Sequence, residues 1–343
     1  METIILEAEK GSDLAVELLK KESVVALPTE TVYGLAADAF SPKGVASIFE
    51  AKERPLSDPL IVHVLDVSWL DRVVSLTPEL QKTVMALAAA FWPGPLTLLL
   101  PRIAAVPDLV TAGLETVAVR IPSNLIFRKI LSKIDAPLAA PSANRFGRIS
   151  PTTASDVMME LGKKIPLILD GGSCKHGLES TILWPSMDVK KECVLQILRP
   201  GPITAEMLTP FGSVIAQSLR GKSPGSLESH YAPRKKLFWY RAEGIPQASK
   251  TNIGFLAFSK KVSGFGAMEV LSSSGDLVEA ASNLYGALRR LDESTVDFLL
   301  VEPVPQVGIG IAIMDRLRRA IYPFTETGRY PFKATDRKIG DGR

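Results

Sequence analysis

The sequence predicts an α/β protein of two unequal domains, and three observations lead to that prediction. The chain has 343 residues, which is long for one average domain. Helical and strand-like hydrophobic patterns alternate up to about Pro210. The pattern then loosens into Gly, Ser and Pro before the alternation resumes beyond Lys236. We therefore predict a first domain over residues 1–210, a linker over 211–236 and a second domain over 237–343.

The first domain is predicted as a mixed sheet with helices. Ser41 and Pro42 are typical of a helix N-cap and first residue, and Pro55 prevents this helix from continuing, so Lys52 lies at a helix end. Short intervals between several apolar runs imply antiparallel strand pairs. The runs are Ser23–Leu27, Leu96–Leu100, Val117–Ile121, Leu138–Pro141, Pro166–Leu169, Thr181–Trp184 and Val194–Leu198.

The second domain is predicted as a small doubly wound α/β unit, because a strand–helix–strand pattern is followed by a glycine turn that opens a helix. The elements are a strand at Ile253–Phe258, a helix through Leu277–Leu291 behind the capping pair Asp276 and Glu279, a strand at Asp297–Val301, and the glycine turn and helix at Gly308–Ile321.

The composition favours a globular protein that binds a small anion. Hydrophobic residues make up 46% of the chain and charged residues 22%. The formal net charge of +3 is nearly balanced, so general electrostatic attraction to nucleic acid or lipid is weak.

Export, a membrane span and a zinc cluster all lack support in the sequence. The N-terminus has no secretion-signal order of basic, apolar and small residues, and only Cys174 and Cys193 are present, so we predict a cytoplasmic protein. The longest uncharged stretch, Thr83–Pro101, carries Pro93–Pro95 in its middle, which would break a membrane helix. Three scattered histidines cannot complete a closed zinc site, and we expect any metal to be magnesium held by carboxylates or phosphates.

Two near-matches to nucleotide motifs are set aside. Ala216–Ser223 would be a P-loop only if Ala216 were glycine, so we assign it to the linker. Gly308 and Gly310 lack the third glycine of a dinucleotide fingerprint, because Ile313 stands there, and simple helix entry is favoured.

One stretch, Leu27–Val64, offers polar atoms to an anion in successive segments. PTETVYGL brings the hydroxyls of Thr29, Thr31 and Tyr33 directly after an apolar strand, and AKERP brings Lys52 and Arg54 two residues apart. Taken alone, these two cations could be solvated charges at a helix C-terminus, where cations are favoured.

Two further segments favour a phosphate or ribose site. APSANRFGRISPT has Ser142 and Asn144 directly after a strand, and ILRPGPIT has Arg199 at a strand end. Short polar side chains beside glycine suit close approach to phosphate, and arginine offers paired donors to anionic oxygens.

Arg120 in VAVRIP is the most informative single residue, because a charge in an apolar strand needs an anionic partner. That partner is either a ligand or a buried Asp or Glu. His63 in PLIVHV is more typical of a satisfied core histidine, and Ser180 and Thr181 in GLESTIL could simply cap a turn.

As an ordered set, these motifs resemble the YrdC family in its two-domain form, the threonylcarbamoyl-AMP synthases. The set is PTETVYGL, KERP followed by PLIVHV, WPGPLTLLL, VAVRIP, PSAN followed by ISPT, ESTI and RPGPIT. The resemblance is dense from Val25 to about Thr204, then resumes with HYAP and IAIMDRLRRA. It implies a YrdC-like twisted mixed sheet as the catalytic domain, a linker that closes over the active site, and a Rossmann-like C-terminal domain.

The resemblance also implies the reaction and its partners. L-threonine, bicarbonate and ATP would give L-threonylcarbamoyladenylate and pyrophosphate, with Mg²⁺ accompanying ATP. A partner transferase would then modify an adenosine of tRNA, and direct binding of tRNA by this chain is expected to be weak or absent.

The residues implied by the resemblance fall into two groups, with Lys52 and Arg54 as the catalytic pair. The ATP group is Lys52, Arg54, Ser142, Asn144, Ser150, Arg199, His230 and Tyr231. The threonine group is Thr29, Thr31, His63, Arg120 and Ser180, with Arg120 at the carboxylate. In one departure from relatives, which often have a basic residue before HYAP, this chain has Glu228 and Ser229.

The residue inventory agrees with a reaction in which a carbamate oxygen attacks the α-phosphorus of ATP. Such a step needs positioning and cationic stabilisation, and no Ser-His-Asp arrangement or cysteine nucleophile is evident. Two alternatives stay open: an RNA-binding module without catalysis, and an enzyme that transfers carbamoyl to another acceptor. The sequence leaves open the bicarbonate and magnesium ligands, the role of the second domain, the oligomeric state and the partner transferase. It also leaves open the cluster Arg316, Arg318 and Arg319, for which a solvated helix face is favoured over RNA contact.

Overall fold

Two β-sheets organise the described part of the chain, one of eleven strands and one of four. The computed structural model describes residues 2–188, 192–215, 230–240 and 247–321. The predicted α/β class, with a large mixed sheet and a second, smaller parallel sheet, is confirmed. The predicted linker falls largely on residues 216–229, including the near-match to a P-loop, and these lie outside the described residues.

The strands of the large sheet are β1 (Ile4–Glu7), β2 (Val25–Leu27), β3 (Gly34–Asp38), β4 (Ile61–His63), β5 (Leu96–Pro101), β6 (Thr116–Arg120), β7 (Leu138–Ala139), β8 (Leu167–Asp170), β9 (Thr181–Met187), β10 (Cys193–Arg199) and β11 (Ser213–Ile215). The small sheet has β12 (Leu237–Trp239), β13 (Ile253–Ala257), β14 (Ala267–Val270) and β15 (Phe298–Val301).

The α-helices are α1 (Ala8–Lys20), α2 (Pro42–Lys52), α3 (Pro78–Phe91), α4 (Asp108–Thr111), α5 (Leu125–Ile134), α6 (Ala154–Leu161), α7 (Ala205–Leu208), α8 (Leu277–Glu293) and α9 (Gly310–Ile321). Short 3₁₀ turns lie at Val67–Arg72, Thr209–Phe211 and Gln247–Asn252. None of the helices in the described ranges combines the length and apolarity that crossing a bilayer requires.

Helix starts follow the predicted capping residues. The Ser41 side chain accepts a hydrogen bond from Gly44 N at 3.0 Å, with Pro42 as the first residue of α2. Asp276 caps α8 by accepting from the backbone of Val278 and Glu279, as predicted. The Glu279 carboxylate does not return to the cap, however, because it accepts from Ser272 instead.

The order of the large sheet is β1-β8-β2-β3-β7-β4-β6-β5-β9-β10-β11. The predicted antiparallel pairing of neighbouring runs is present in β5/β6 and β9/β10. The pair β2/β3 is also antiparallel, whereas β4/β6 and β5/β9 are parallel. Residues that pair directly across strands share a face, so the register His63↔Arg120 places both side chains on the face that carries Ile61 and Ala118. That register brings two of the predicted site residues together.

Several elements differ from the predictions. Strand β7 ends at Ala139, because Pro141 cannot donate to a ladder and the chain leaves the sheet there. Strand β3 was not predicted; it begins at Gly34, near the end of PTETVYGL, and continues to Asp38. It was missed because Gly and Ala have low strand propensity and no alternation to read. Strands β1, β11, β12 and β14, each of three or four residues, were also not predicted.

Two large hydrophobic clusters fill the molecule, one on the large sheet and one around the small sheet and α8. The second cluster also takes in side chains from the first part of the chain, namely Val32, Ile149 and Leu178. The described parts of the two regions therefore share a packed interface. The small sheet has the order β12-β15-β13-β14 and is all parallel, as expected for a doubly wound unit.

Candidate active site

The first wall of the site is the turn that follows β2. Thr29 Oγ1 accepts from the backbone N–H of Thr31 at 3.0 Å and of Val32 at 3.2 Å, and lies 2.8 Å from Thr31 Oγ1. The local hydrogen bonds fix the turn and present both hydroxyls to the same cavity. Tyr33, expected to join them, instead points into the protein, where its hydroxyl donates to Gly172 O at 2.8 Å.

Arg120 has an internal carboxylate as its partner. Its Nη2 lies 2.7 Å from Glu30 Oε1, its Nη1 donates to Thr31 Oγ1 at 2.9 Å, and its Nε donates to Gly94 O at 3.2 Å. The ion-pair alternative is thus what the structure contains. Burial raises the pKa of Glu30, but the charge of Arg120 and the hydrogen bonds to the carboxylate together outweigh burial and lower that pKa to about 2.

A guanidinium has five N–H groups, and each of Nη1 and Nη2 has two. The three contacts of Arg120 therefore leave hydrogens free, and its side chain lines the same cavity as Thr29. The ion pair with Glu30 fixes the orientation of Arg120 without excluding a ligand.

His63 is buried beside Arg120, 4.9 Å from the ring of Phe127 between centroids. Burial, and then the charge of Arg120, lowers its pKa to about 3, so the ring is neutral near pH 7. It lines the cavity as a neutral hydrogen-bonding group.

Lys52 and Arg54 are both buried, so the solvated-charge alternative is wrong. Lys52 is the last residue of α2, as predicted, and its Nζ donates to Asn144 O at 2.6 Å and to Ser142 O. Burial, and then the charge of Arg54, holds the pKa of the Lys52 ammonium well below its usual range.

Arg54 turns toward the cavity because Glu53 takes a left-handed conformation with φ 53° and ends the helix. Its Nη2 lies 2.9 Å from Asp58 Oδ2 and donates to Pro59 O at 2.8 Å. The carboxylate four residues on neutralises the charge of Arg54.

The loop after β7 joins the lysine to the pocket. Ser142 pairs with Gly34 across an isolated bridge and lines the cavity. Asn144 is 1% exposed, and its amide nitrogen donates to Arg145 O and Arg148 O, which leaves Oδ1 without a hydrogen-bond partner among the described residues. A buried acceptor in that condition is a place for a ligand donor.

Ser150 lies deeper than Ser142. It is fully buried, and its hydroxyl lies next to the Glu179 carboxylate, whose pKa it helps to lower. Ser150 and Asn144 do not line the cavity wall, and neither does Lys52; they support residues that do.

The opposite wall comes from the start of β9 and the end of β10. Ser180 Oγ lies 2.7 Å from Thr97 Oγ1 and accepts from Arg199 Nη2 at 3.0 Å, while Arg199 Nε donates to Ser180 O at 3.1 Å. Neither Ser180 nor Thr181 merely caps a turn, because Thr181 Oγ1 donates to Ile203 O at 2.7 Å and accepts from its N–H at 2.9 Å.

His230 and Tyr231 enter the same cavity from the end of the predicted linker. The two rings are 4.0 Å apart, and His230 also meets the edge of Phe146 at 5.9 Å. His230 Nδ1 has no hydrogen-bond partner within the described residues, and burial holds the pKa of His230 well below its usual range. Glu228 and Ser229 lie outside the described residues.

These walls surround one cavity, which is partly open to solvent. Ten of the thirteen predicted site residues line this cavity, so the fold brings motifs that are distant in sequence to one place. They are Thr29, Thr31, Arg54, His63, Arg120, Ser142, Ser180, Arg199, His230 and Tyr231. Three arginines and several hydroxyls facing one space suit an anion with many oxygens.

Comparison with known proteins places the chain in a family. Residues 17–201 match the Sua5/YciO/YrdC family model, described as "Telomere recombination", and residues 203–321 match the model for the C-terminal domain of threonylcarbamoyl-AMP synthase. The chain belongs to the Sua5 family. Both domains of the family are therefore present, and the predicted resemblance is confirmed.

Members of the Sua5 family from distant organisms resemble this chain over most of its length. The Bacillus subtilis threonylcarbamoyl-AMP synthase is 40% identical, over 89% of this chain and 91% of that protein. The Schizosaccharomyces pombe threonylcarbamoyl-AMP synthase is 36% identical, over 86% of this chain and 84% of that protein. A crystal structure of Pyrococcus abyssi Sua5 complexed with L-threonine superposes with a TM-score of 0.81, at 33% identity, over 93% of this chain and 98% of that one. The predicted enzyme class is confirmed by these relatives.

Sequence reasoning missed the acidic half of this Sua5-family site. Glu30, Asp58 and Glu179 are buried within it and neutralise its cations. One signal was available for Asp58, which stands four residues after Arg54. Glu30 and Glu179 stand within PTETVYGL and ESTI, but neither motif indicates their role, because their arginine partners are 90 and 137 residues away.

Proposed function

We propose that this chain makes L-threonylcarbamoyladenylate from L-threonine, bicarbonate and ATP, with release of pyrophosphate, for threonylcarbamoyladenosine modification of tRNA. The observation that supports this best is the convergence of the buried side chains of Arg54, Arg120 and Arg199 on one cavity in a member of the Sua5 family. A triphosphate beside an amino-acid carboxylate carries the charge that such a cavity would stabilise.

The nucleotide is proposed to lie between the α2 end and the His230–Tyr231 segment. Arg54 and Arg199 would meet the phosphates, with Lys52 approaching through the Ser142–Asn144 loop. The unpartnered Nδ1 of His230, a residue that lines the cavity, supports this assignment, since a nucleotide offers hydrogen-bond donors and acceptors. Tyr231 would pack beside His230, and Ser150 would support the loop.

Threonine is proposed to lie at the Thr29 turn. The free hydrogens of Arg120 would hold its carboxylate, while Thr29, Thr31, Ser180 and neutral His63 offer hydrogen bonds to its other polar groups. Arg120 is held by Glu30 before the ligand arrives, so little ordering would be needed on binding.

The chemistry requires no protein nucleophile. The neutral threonine amine and bicarbonate form a carbamate with loss of water. A carbamate oxygen then forms a bond to the α-phosphorus as the bond from that phosphorus to the oxygen of pyrophosphate breaks. Charge moves onto the departing pyrophosphate, and Lys52 and Arg54 are proposed to stabilise it.

Magnesium is proposed to enter with ATP. Across the described residues, no three His, Cys, Asp or Glu side chains are grouped to hold a metal ion. Phosphate oxygens and water are the ligands that Mg²⁺ commonly keeps, so a cage built from protein carboxylates is unnecessary. No step is assigned to a protein-bound metal.

The setting and partners of this reaction are part of the same proposal. The free cysteines Cys174 and Cys193 support a reducing, cytoplasmic setting. A separate transferase would take the product to tRNA, and the near-neutral charge of the chain supports weak or absent direct binding of tRNA.

The test is pyrophosphate release measured with and without L-threonine. We expect release from the wild-type protein only when threonine, bicarbonate and ATP are all present. Arg54→Ala or Lys52→Ala should lower it by about 100-fold or more, the usual effect of losing one group that stabilises transition-state charge. Arg72→Ala is the matched control, because Arg72 is a partly exposed cation paired with Asp135 away from the cavity.

Each rival reading gives a different result. Release that ignores threonine would favour carbamoyl transfer to another acceptor, and no release under any condition would favour a binding module. Full threonine-dependent release by Arg54→Ala and Lys52→Ala would overturn the assignment of the catalytic pair.

A further inference from the structure

The loop that carries Ser180 is held from outside by the C-terminal region. Gly177 has φ +65° and packs so closely on α8 that a Cβ there would lie 2.4 Å from Ser282 O. The next residue, Leu178, is fully buried in the hydrophobic cluster of the small sheet. The residue after that, Glu179, sends its carboxylate toward α8 and α9. Three successive residues before Ser180 thus take their positions from that region.

The Glu179 carboxylate is the polar centre of this contact. Arg316 Nε in α9 lies 2.8 Å from Oε2, and the Tyr285 hydroxyl in α8 donates at 2.9 and 3.1 Å. Arg316 is 1% exposed, so the predicted solvated helix face is wrong at this position. Burial alone would raise the pKa of Glu179, but the charges of Arg316 and then Arg199 lower it to about 2.

Arg316 holds two other walls of the cavity as well. Its Nη2 donates to Pro200 O at 2.9 Å, directly after Arg199 at the end of β10. Its guanidinium carbon lies 5.2 Å from the centroid of the Tyr231 ring, which also stacks on Tyr285 at 5.8 Å. Tyr231 has φ 64°, a rare conformation for a bulky residue that persists only where surrounding contacts hold it.

We infer that Arg316, acting with Glu179 and Tyr285, is a positioning residue for this active site. One guanidinium of the C-terminal region sets the Ser180 loop, the Arg199 strand end and the Tyr231 segment relative to one another. This gives the C-terminal region a part in the reaction although Arg316 does not itself line the cavity. The inference rests on the proposed function, because the positioned groups are those assigned to ATP and threonine.

The test compares steady-state kinetics of Arg316→Met, Tyr285→Phe and a control, all measured well below their melting temperatures. Arg316→Met should raise KM for ATP and threonine and lower kcat/KM on the order of 100-fold, since a misplacement of about 1 Å has that effect. Tyr285→Phe keeps the ring stacked on Tyr231 and removes only the hydroxyl, so it should fold and lose about tenfold. The control is Arg290→Met. Arg290 lies on α8, the helix of Tyr285, but away from the cavity, and its bidentate ion pair is with Glu269 of β14. The substitution should change neither KM nor kcat/KM.

The split between KM and kcat separates positioning from simple instability. Partial unfolding lowers the active fraction and therefore kcat at unchanged KM, whereas a displaced pocket raises KM in fully folded protein. If Arg316→Met leaves Glu179 uncompensated and does not fold, the double variant Glu179→Gln with Arg316→Met removes both charges and is measured in its place.

Two results are distinguishable failures. Wild-type protein without threonine-dependent pyrophosphate release would refute the proposed function, and this inference with it. The inference alone would be refuted if the wild-type protein is active and the folded variants keep KM and kcat/KM within twofold of wild type. Those variants are Tyr285→Phe together with either Arg316→Met or the double variant.

Discussion

Replacing Glu30 with glutamine should remove an acid-sensitive part of the protein's stability. The Glu30 carboxylate is 6% exposed and 2.7 Å from Arg120, which lowers its pKa from 4.5 to about 2 although burial acts in the opposite direction. A pKa difference of that size between the unfolded and folded states corresponds to about 3 kcal/mol. Because the unfolded state takes up the proton first, this contribution is complete above about pH 4.5 and is lost as the pH falls toward 2.

The assay is urea denaturation of wild type and Glu30→Gln at a series of pH values from 7 to 2.5. We expect the variant to be less stable by about 3 kcal/mol at neutral pH, since Arg120 is left with a neutral amide, and the gap to close at the acid end. Glu115→Gln is the control, because the Glu115 side chain is 94% exposed and its loss should change neither stability nor its pH dependence. A gap between wild type and Glu30→Gln that stays constant down to pH 2.5 would refute the linkage argument.

Two further predictions use the same walls of the cavity. Gly201→Ala should destabilise the protein by about 1–3 kcal/mol and reduce activity, because a Cβ would lie 2.4 Å from Thr181 N. Gly286→Ala in α8 should instead stabilise the protein by up to about 1 kcal/mol, since only the flexible end of a side chain is near. Thermal denaturation measures both variants, and equal effects of the two substitutions would contradict this prediction. Binding of ATP should be accompanied by proton uptake in the wild-type protein and by less uptake in Lys52→Met, because burial lowers the pKa of Lys52 and a triphosphate would raise that pKa. Calorimetry in buffers of different ionisation enthalpy measures the number of protons taken up. An identical dependence on the buffer in both proteins would count against this prediction.

The elements of the fold that could be predicted are those with local signals. Helix α2 was marked by Ser41, Pro42 and Pro55, and strands β5, β6 and β10 by continuous apolar runs. Strand β3 had no such signal, since its Gly and Ala residues are buried on both faces and pack without an alternating pattern. Periodicity reports burial of one face, so a strand buried on both faces with small side chains is not visible to it.

The cationic half of the site was predictable because its residues follow strand and helix ends in recognisable motifs. Its anionic half was not, since the pairs Glu30 with Arg120 and Glu179 with Arg316 form only after distant segments fold together. Arg316 shows the limit most clearly. The charged stretch DRLRRA in α9 is typical of an exposed face, and only the packing of α9 against the Ser180 loop buries that arginine.

The buried carboxylates also explain how so many cations can surround one cavity before any ligand binds. Arg54 has Asp58, Arg120 has Glu30, and Arg199 lies within the field of Glu179, which Arg316 also neutralises. Without these partners each guanidinium would be buried at a cost that only the bound triphosphate could offset, and the empty site would open or unfold. With them, a phosphate or carboxylate ligand adds to charges whose directions are already fixed, so that binding needs little reorganisation of the walls. The acidic residues that the motifs did not reveal are therefore the part of the site that keeps its cations in position.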